Sequence, residues 1–510
     1  MLSNEQYFEL CVSCDSLLNR RKTLNRVAIP WLHILRWHPF LLKDYISCFS
    51  EKSIKYHLVL NLKKFFIYLI VWLKNLYRSF FFKKKKFHYL GQPKDKYDIV
   101  LVTHFLGSKS VSSDHDHYFG TLHKDLKLQG VEVLRVFINH TDDLKLDLSM
   151  KGRDIPDCVI LPKSTNLLLE LNIFLGFLRE FLILSYDAFF SSGKGVKRFI
   201  TLRAATEALS GRSREALIIA KNILQVVNKH QVTNILFTYE GHSWEKILVN
   251  LARRNVCKLK LTGYQFVGLT EGNHAVNNSF GFEYEPDLLM CTGGLAVEKF
   301  KKRTSSNGVN FDVLGTFRLP SMNNAMEYFE KKRYLEKSIC LVLPEGLDDE
   351  VLRLVIYTKS LAKNSPMIDF VIRLHPLTNK DSILRDDCFV DLPSNIQFSS
   401  ADLVTDALAA KWAIYQGSTS VLQCFALGVI PIYIHSGDII IDALMQDGNS
   451  PYFLKSQNNF YEIIENWHIK GVQVDWFNNV SNQLKAMYQP FNSSKIFQNL
   501  ENIKMQNLIN

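Results

Sequence analysis

No stretch of this 510-residue chain has the roughly 20 uninterrupted apolar residues that a bilayer-spanning helix needs. Its most apolar N-terminal run, from Phe65 to Leu73, stops after nine, and no signal-peptide pattern precedes it. Cysteine is sparse and unpatterned. The nine cysteines are scattered singly and odd in number, which excludes a disulfide framework and points to a reducing cytoplasm. Cys11 and Cys14 form the one C-x-x-C, but no second pair follows at zinc spacing, so they read as neighbours on an N-terminal helix. Glycine-rich phosphate loops are missing as well. Without a Walker A lysine or a G-x-G-x-x-G, an ATPase or an ordinary dinucleotide enzyme is disfavoured.

What remains is a globular composition, 47% hydrophobic and 22% charged, in a chain too long for one hydrophobic core. Two domains plus an appendage are expected. Much of the net charge of +11 sits near the N-terminus. Residues 55–86 mix an aromatic and aliphatic centre with flanking Lys and Arg, a composition suited to a membrane interface beside anionic lipid. A helix packed on its own domain with a solvated basic face is the equal alternative. No nucleic-acid module signature accompanies these basic residues, and nucleic acid is not expected as a partner.

After a polar break at 91–95 the pattern alternates. Residues 97–103 and 131–138 read as buried parallel strands around a helix near 120–129. Residues 166–190 are strongly apolar but carry Glu170, Arg179 and Glu180, so a buried or docking helical hairpin is expected. Residues 205–229 read as helix, followed by strands at 234–238, 259–263 and 287–291. A Gly- and Pro-punctuated join at 313–320 opens a second series: strands at 339–343, 369–374, 412–415 and 429–434, with a helix at 399–410. The fold class is therefore α/β, with two facing Rossmann-like, doubly wound domains that bind ligand at their strand ends. The expected boundaries are 1–90 for a helical appendage, 91–315 for the first domain, 316–490 for the second, and 491–510 for a tail.

His375 sits directly after a strand and before Pro376, so its imidazole is expected to point into the cleft and hydrogen-bond a phosphate. Arg373, two residues earlier on extended chain, shares its side. Gly417-Ser418-Thr419-Ser420 opens a helix with more hydroxyls than one N-cap uses, and suits a phosphate. Val421, Cys424, Phe425 and Gly428 follow at i, i+3, i+4 and i+7 and are core.

The Arg-Leu-His-Pro segment and, about forty residues on, the segment from Gly417 to Tyr433 resemble the His-Pro and Ser/Thr motifs of bacterial sialyltransferases and Kdo transferases, glycosyltransferases of the two-domain GT-B fold. Related patterns occur in nucleotide-sugar epimerases of that fold and in teichoic-acid polyol-phosphate transferases. The layout over residues 95–440, with Tyr239-Glu240-Gly241-His242, Gly263-Tyr264-Gln265-Phe266 and Leu343-Pro344-Glu345-Gly346, is similar to bacterial surface-carbohydrate biosynthesis proteins. The resemblance implies a donor site of His375, Pro376, Arg373, Gly417 to Ser420, Glu345 and Gly346. It places acceptor activation in the first domain, where the family carries an acidic pair before Gly and this chain has Tyr239 in the first acidic place. Glu240 or His242 at that strand end suits general-base work. The cluster Asp114-His115-Asp116-His117 competes, with Asp116 and His115 as its catalytic candidates and no metal expected. Glu271, His274, Tyr264 and Gln265 are further cleft candidates.

The expectation is a cofactor-independent glycosyltransferase on the inner face of the cytoplasmic membrane, moving a sugar from a nucleotide-sugar donor to a glycan or lipid-linked acceptor. A CMP-linked Kdo or nonulosonic acid is the first choice of donor. A UDP-sugar 2-epimerase, a CDP-polyol phosphotransferase and a non-catalytic glycan-assembly scaffold are the alternatives.

Overall fold

The computed structural model describes residues 3–33, 45–49, 54–81, 87–112, 115–141, 155–190, 195–255, 259–269, 274–303, 308–317, 322, 324–346, 348–375, 378, 380–435, 442–444, 450–454 and 457–509. Pro376, Asp114 and Glu271 lie outside them.

The apolar runs form two sheets. The first contains β1 (His88–Leu90), β2 (Ile99–Phe105), β3 (Val133–Asn139), β4 (Cys158–Ile160), β5 (Asn234–Thr238), β6 (Lys260–Gln265), β7 (Leu288–Cys291) and β8 (Asn310–Val313). Their order is β1-β4-β3-β2-β5-β6-β7-β8, parallel throughout except for the antiparallel edge strand β1. The second contains β9 (Ile339–Leu343), β10 (Asp369–Ile372), β11 (Ile396–Phe398), β12 (Trp412–Tyr415), β13 (Ile430–Ile434) and β14 (Phe453–Leu454), all parallel, in the order β11-β10-β9-β12-β13-β14. Counted within each sheet's parallel strands, both orders begin 3-2-1-4-5-6, the Rossmann arrangement. Strand direction reverses its progression between β2 and β5 in one domain and between β9 and β12 in the other. Those two switch points are where doubly wound sheets open a crevice for ligand.

Central strands such as β2, β5 and β12 are buried on both faces, which is why apolar residues dominate their sequences. Residues 205–229 are two helices, Val196–Ala208 and Gly211–Lys229, broken at Ser210, whose hydroxyl caps the second by accepting from the Ser213 N–H. The hairpin expected at 166–190 is instead one helix, Leu167–Phe190. Gly176 lies within it, where a Cβ would come 2.6 Å from the Asn25 side chain.

In the 1–90 region, Cys11 and Cys14 are buried on one face of the helix Asn4–Arg20. The helix Ile54–Phe81 docks on the first domain through His57, stacked on Phe199, and Trp72, whose Nε1 donates to the Leu209 carbonyl at 2.8 Å. The chain finally returns to its first domain. The Gln489 N–H donates to the Thr292 carbonyl and the Asn492 N–H to that of Leu314, both at 2.8 Å. Ile496 and Leu500 of the helix Ser494–Ile509 are then buried with Ile99 and Leu101 of β2. The segment expected as a tail thus carries part of the first domain's core.

Candidate functional site

Both crevices are built around the same turn. At the end of β5, Tyr239-Glu240-Gly241-His242 leads into the helix Ser243–Asn255, and at the end of β9, Pro344-Glu345-Gly346 leads into Asp348–Asn364. Each has a buried Glu five residues after the first. Glu245 accepts backbone N–H bonds from Glu240 (3.1 Å), Gly241 (2.8 Å) and His242 (2.9 Å), and Glu350 accepts one from Glu345 at 2.7 Å. These carboxyl groups hold the loops at helix N-termini by accepting their backbone N–H groups. Burial nevertheless pushes Glu245 up to about 7 and Glu350 up to about 8. The two glycines are forced by their surroundings. Gly241 (φ +85) faces the backbone of Ala275 and Val276, and a Cβ there would lie 2.5 Å from both. Gly346 (φ +97) lies under His375, and a Cβ would come within 2.7 Å of the His375 Cβ.

In the first crevice this turn presents Glu240 and His242, both half-buried, with His242 Nε2 3.1 Å from Glu240 Oε2. Burial opposes charge on His242, but the Glu240 hydrogen bond and the Glu245 and Glu240 charges outweigh it and push the imidazole up to about 9. At neutral pH the pair is an imidazolium held by a carboxylate. Tyr239, in the family's first acidic place, is fully buried: its OH donates to Glu285, whose other oxygen accepts from Lys246 Nζ at 2.6 Å. That phenol belongs to the core.

Two further histidines join this crevice, and sequence reasoning missed both. His104, near the end of β2, and His140, directly after β3, lie at the edges of neighbouring strands. His104 Nδ1 is 2.7 Å from His140 Nε2, and His104 Nε2 is 3.1 Å from Thr238 Oγ1. Burial pushes His104 down to about 3, with the charges of His140 and His242 adding to it. His140 is lowered by burial and by the Lys163 and His242 charges. Both are therefore neutral at neutral pH, with His140 the exposed member of the pair. Their signal was position alone, a His at each of two adjacent strand ends.

The Asp-His cluster divides. The Asp116 carboxylate is buried and accepts from Thr103 Oγ1 (3.0 Å) and from the N–H groups of Tyr118 (2.8 Å) and Phe119 (3.0 Å), which fixes its own loop. His115 is exposed and sits edge-on to Phe317, 5.5 Å between ring centroids, at the join of the domains. Tyr264 is core, donating to the Gly315 carbonyl at 2.7 Å, and Gln265 is buried. His274 is tied to Asp15 of the first helix at 3.1 Å.

In the second crevice, strand pairing sets the sequence candidates side by side. β10, β9 and β12 are consecutive neighbours, with Ile372 opposite Val342 and Tyr415 opposite Leu343. Across their carboxyl ends therefore run His375, then Glu345 and Gly346, then Gly417 and Ser418. Arg373 turns elsewhere: its Nη1 binds Asp406 Oδ2 (2.8 Å), the Ala401 carbonyl (2.6 Å) and Ser399 Oγ (3.3 Å) beside β11. Thr419 makes no side-chain cap, so the hydroxyls expected to include an N-cap are not used as one there. Ser418 is buried and Thr419 exposed. Replacing Gly346 by Ala is expected to cost about 1–3 kcal/mol, from the left-handed backbone and the displaced imidazole, measurable by thermal unfolding.

No family model and no curated protein matches the chain. Among solved structures it is similar to the UDP-GlcNAc 2-epimerase from Neisseria meningitidis bound to UDP-GlcNAc, at 10% identity over 81% of this chain and 99% of that one, TM-score 0.40. It is similar also to the glycotransferase of kitacinnamycin (9% identity, 81% and 100% covered, TM-score 0.41) and to a spinosyn rhamnosyltransferase (12%, 80% and 100%, TM-score 0.40). At such scores these likenesses carry no argument about substrate or chemistry. The α/β fold of two Rossmann-like domains rests on the strand orders themselves.

Proposed function

We propose that the protein is a glycosyltransferase that moves a sugar, first choice CMP-linked Kdo or nonulosonic acid, to a bacterial surface polysaccharide or lipid-linked glycan on the inner face of the cytoplasmic membrane. The observation that carries this reading is the convergence of His375, Glu345, Gly346, Gly417 and Ser418 on the switch point of the second sheet. There the nucleotide phosphate would accept hydrogen bonds from His375 and the hydroxyl turn, whose donors are fixed in place before charge develops. The acceptor hydroxyl would attack the anomeric carbon as the bond from that carbon to the phosphate oxygen breaks. Its proton passes to neutral His140, oriented by His104 and Thr238, and the nucleotide leaves with the bonding pair. The His242 imidazolium, held by Glu240 through one ring nitrogen, would offer its other ring N–H to the sugar.

Incubation with a CMP-linked sugar and a lipid-linked acceptor should release CMP. His375→Ala should lower that rate about 10²–10³-fold, the size of losing one fixed donor to the developing charge. Interconversion of a UDP-sugar without acceptor would replace this reading with the epimerase, and release of CMP from a CDP-polyol with the phosphotransferase.

A further inference from the structure

The helices Ile54–Phe81 and Leu167–Phe190 run antiparallel side by side, with Phe65 on Phe181 (5.0 Å between ring centroids) and Trp72 on Phe174 (5.3 Å). Both turn their acids and polar anchors to the protein beside buried apolar groups such as Trp72, Ile173 and Phe177, and both leave rows of apolar side chains exposed on the outside. All three acids of the second helix face inward and are paired: Glu170 with Arg214, Glu180 with Arg26 and Asp187 with Arg20. The first helix has no Asp or Glu, and its Tyr68 and Lys64 reach inward to Glu207. Its outer row is Val59, Leu62, Phe66, Ile70 and Leu73, at the 3- and 4-residue spacing of one helix face, with Phe66 54% and Ile70 65% exposed. The second helix adds Leu168, Leu175 and Leu182, the first 75% exposed. Among the described side chains, Lys63, Lys74 and Arg179 are the charges exposed on these helices beside the apolar rows.

A contiguous apolar face of this extent marks a contact surface. The single sign of its charge selects the occupant. Exposed cations with no acid beside them on either helix complement an anionic surface. No helix among the described residues is long and apolar enough to cross a membrane. We propose that this two-helix face seats in the headgroup and acyl boundary of an anionic bilayer, with Lys63, Lys74 and Arg179 reaching the lipid phosphates. The inference gives the membrane placement proposed above its surface, and adds the second helix to it. It stands whether or not sugar transfer does, because its test uses no nucleotide.

The full-length protein should sediment with phosphatidylcholine vesicles containing about a third phosphatidylglycerol, and about tenfold less with phosphatidylcholine alone. L62E/F66E/I70E should lose binding about tenfold or more, and L175E/L182E likewise, with unchanged circular dichroism because these side chains face outward. Protein that stays in the supernatant with anionic vesicles would overturn the proposal. So would undiminished binding by both variants, or a dimer in solution that the same substitutions dissociate.

Discussion

Replacing His140 by Ala is expected to lower turnover about 10²–10⁴-fold, the range for removing a general base. Affinity for the nucleotide should be unchanged, because the donor candidates lie in the other domain. His104→Ala should give a smaller loss, since that residue acts through His140, and it should also move the acid limb of the pH profile. The signs follow from the environment of each ring. Burial lowers His140, so its neutral, proton-accepting form persists below the ordinary value of 6.5, and activity should survive into mildly acid solution. His242, pushed up to about 9, stays charged until pH approaches that value. If its charge assists the reaction, the alkaline limb lies near 9, and Glu240→Gln should draw that limb down toward 6.5. The same imidazolium stabilises the fold fully below 6.5 and loses that contribution as pH rises through about 9. Unchanged turnover in His140→Ala would remove the histidine pair from the chemistry.

The second large effect is on stability. Arg26 and Glu180 are almost completely buried, 1% and 3% exposed, with Arg26 Nε and Nη2 on Glu180 Oε2 at 3.1 and 3.0 Å. Thr23 Oγ1 fills the other carboxylate oxygen at 2.8 Å. Arg26→Ala leaves that carboxylate buried with one hydroxyl for a partner, and should cost about 3–5 kcal/mol in chemical denaturation. Removing both charges by Arg26→Met with Glu180→Leu should recover most of the loss, because the desolvation penalty disappears with the pair. A single variant as stable as the parent would mean that water reaches this carboxylate. The pair ties Leu167–Phe190 to the short helix Leu24–Val27, so its loss should also loosen the two-helix outer face.

The central strands were legible because burial on both faces writes an unbroken apolar run. β4, β11 and β14 span two or three residues each, too few to show any period, and went unread. The apolar content of residues 166–190 implies helix, but nothing in that run distinguishes one long helix from two. The site was half legible. His375 stood out through its proline and its strand, and Gly346 proves to lie directly beneath it. The Glu-Gly turns suggest chemistry in the sequence, yet much of their sequence serves the turn: Glu245 and Glu350 hold the loops, and Gly241 and Gly346 fit where a side chain would collide. Arg373 carries the charge a phosphate site wants, yet Asp406, 33 residues downstream, captures it. His104 and His140 are 36 residues apart, and strand pairing alone brings them together.

The proposed donor site of the second domain is tested most directly by isothermal titration of the full-length protein with CMP, CDP and UDP, alongside His375→Ala and Gly346→Ala. The proposed function predicts saturable heat with CMP above the others, weakened in both variants. No heat with any of the three nucleotides would contradict it and leave a non-catalytic scaffold as the better reading.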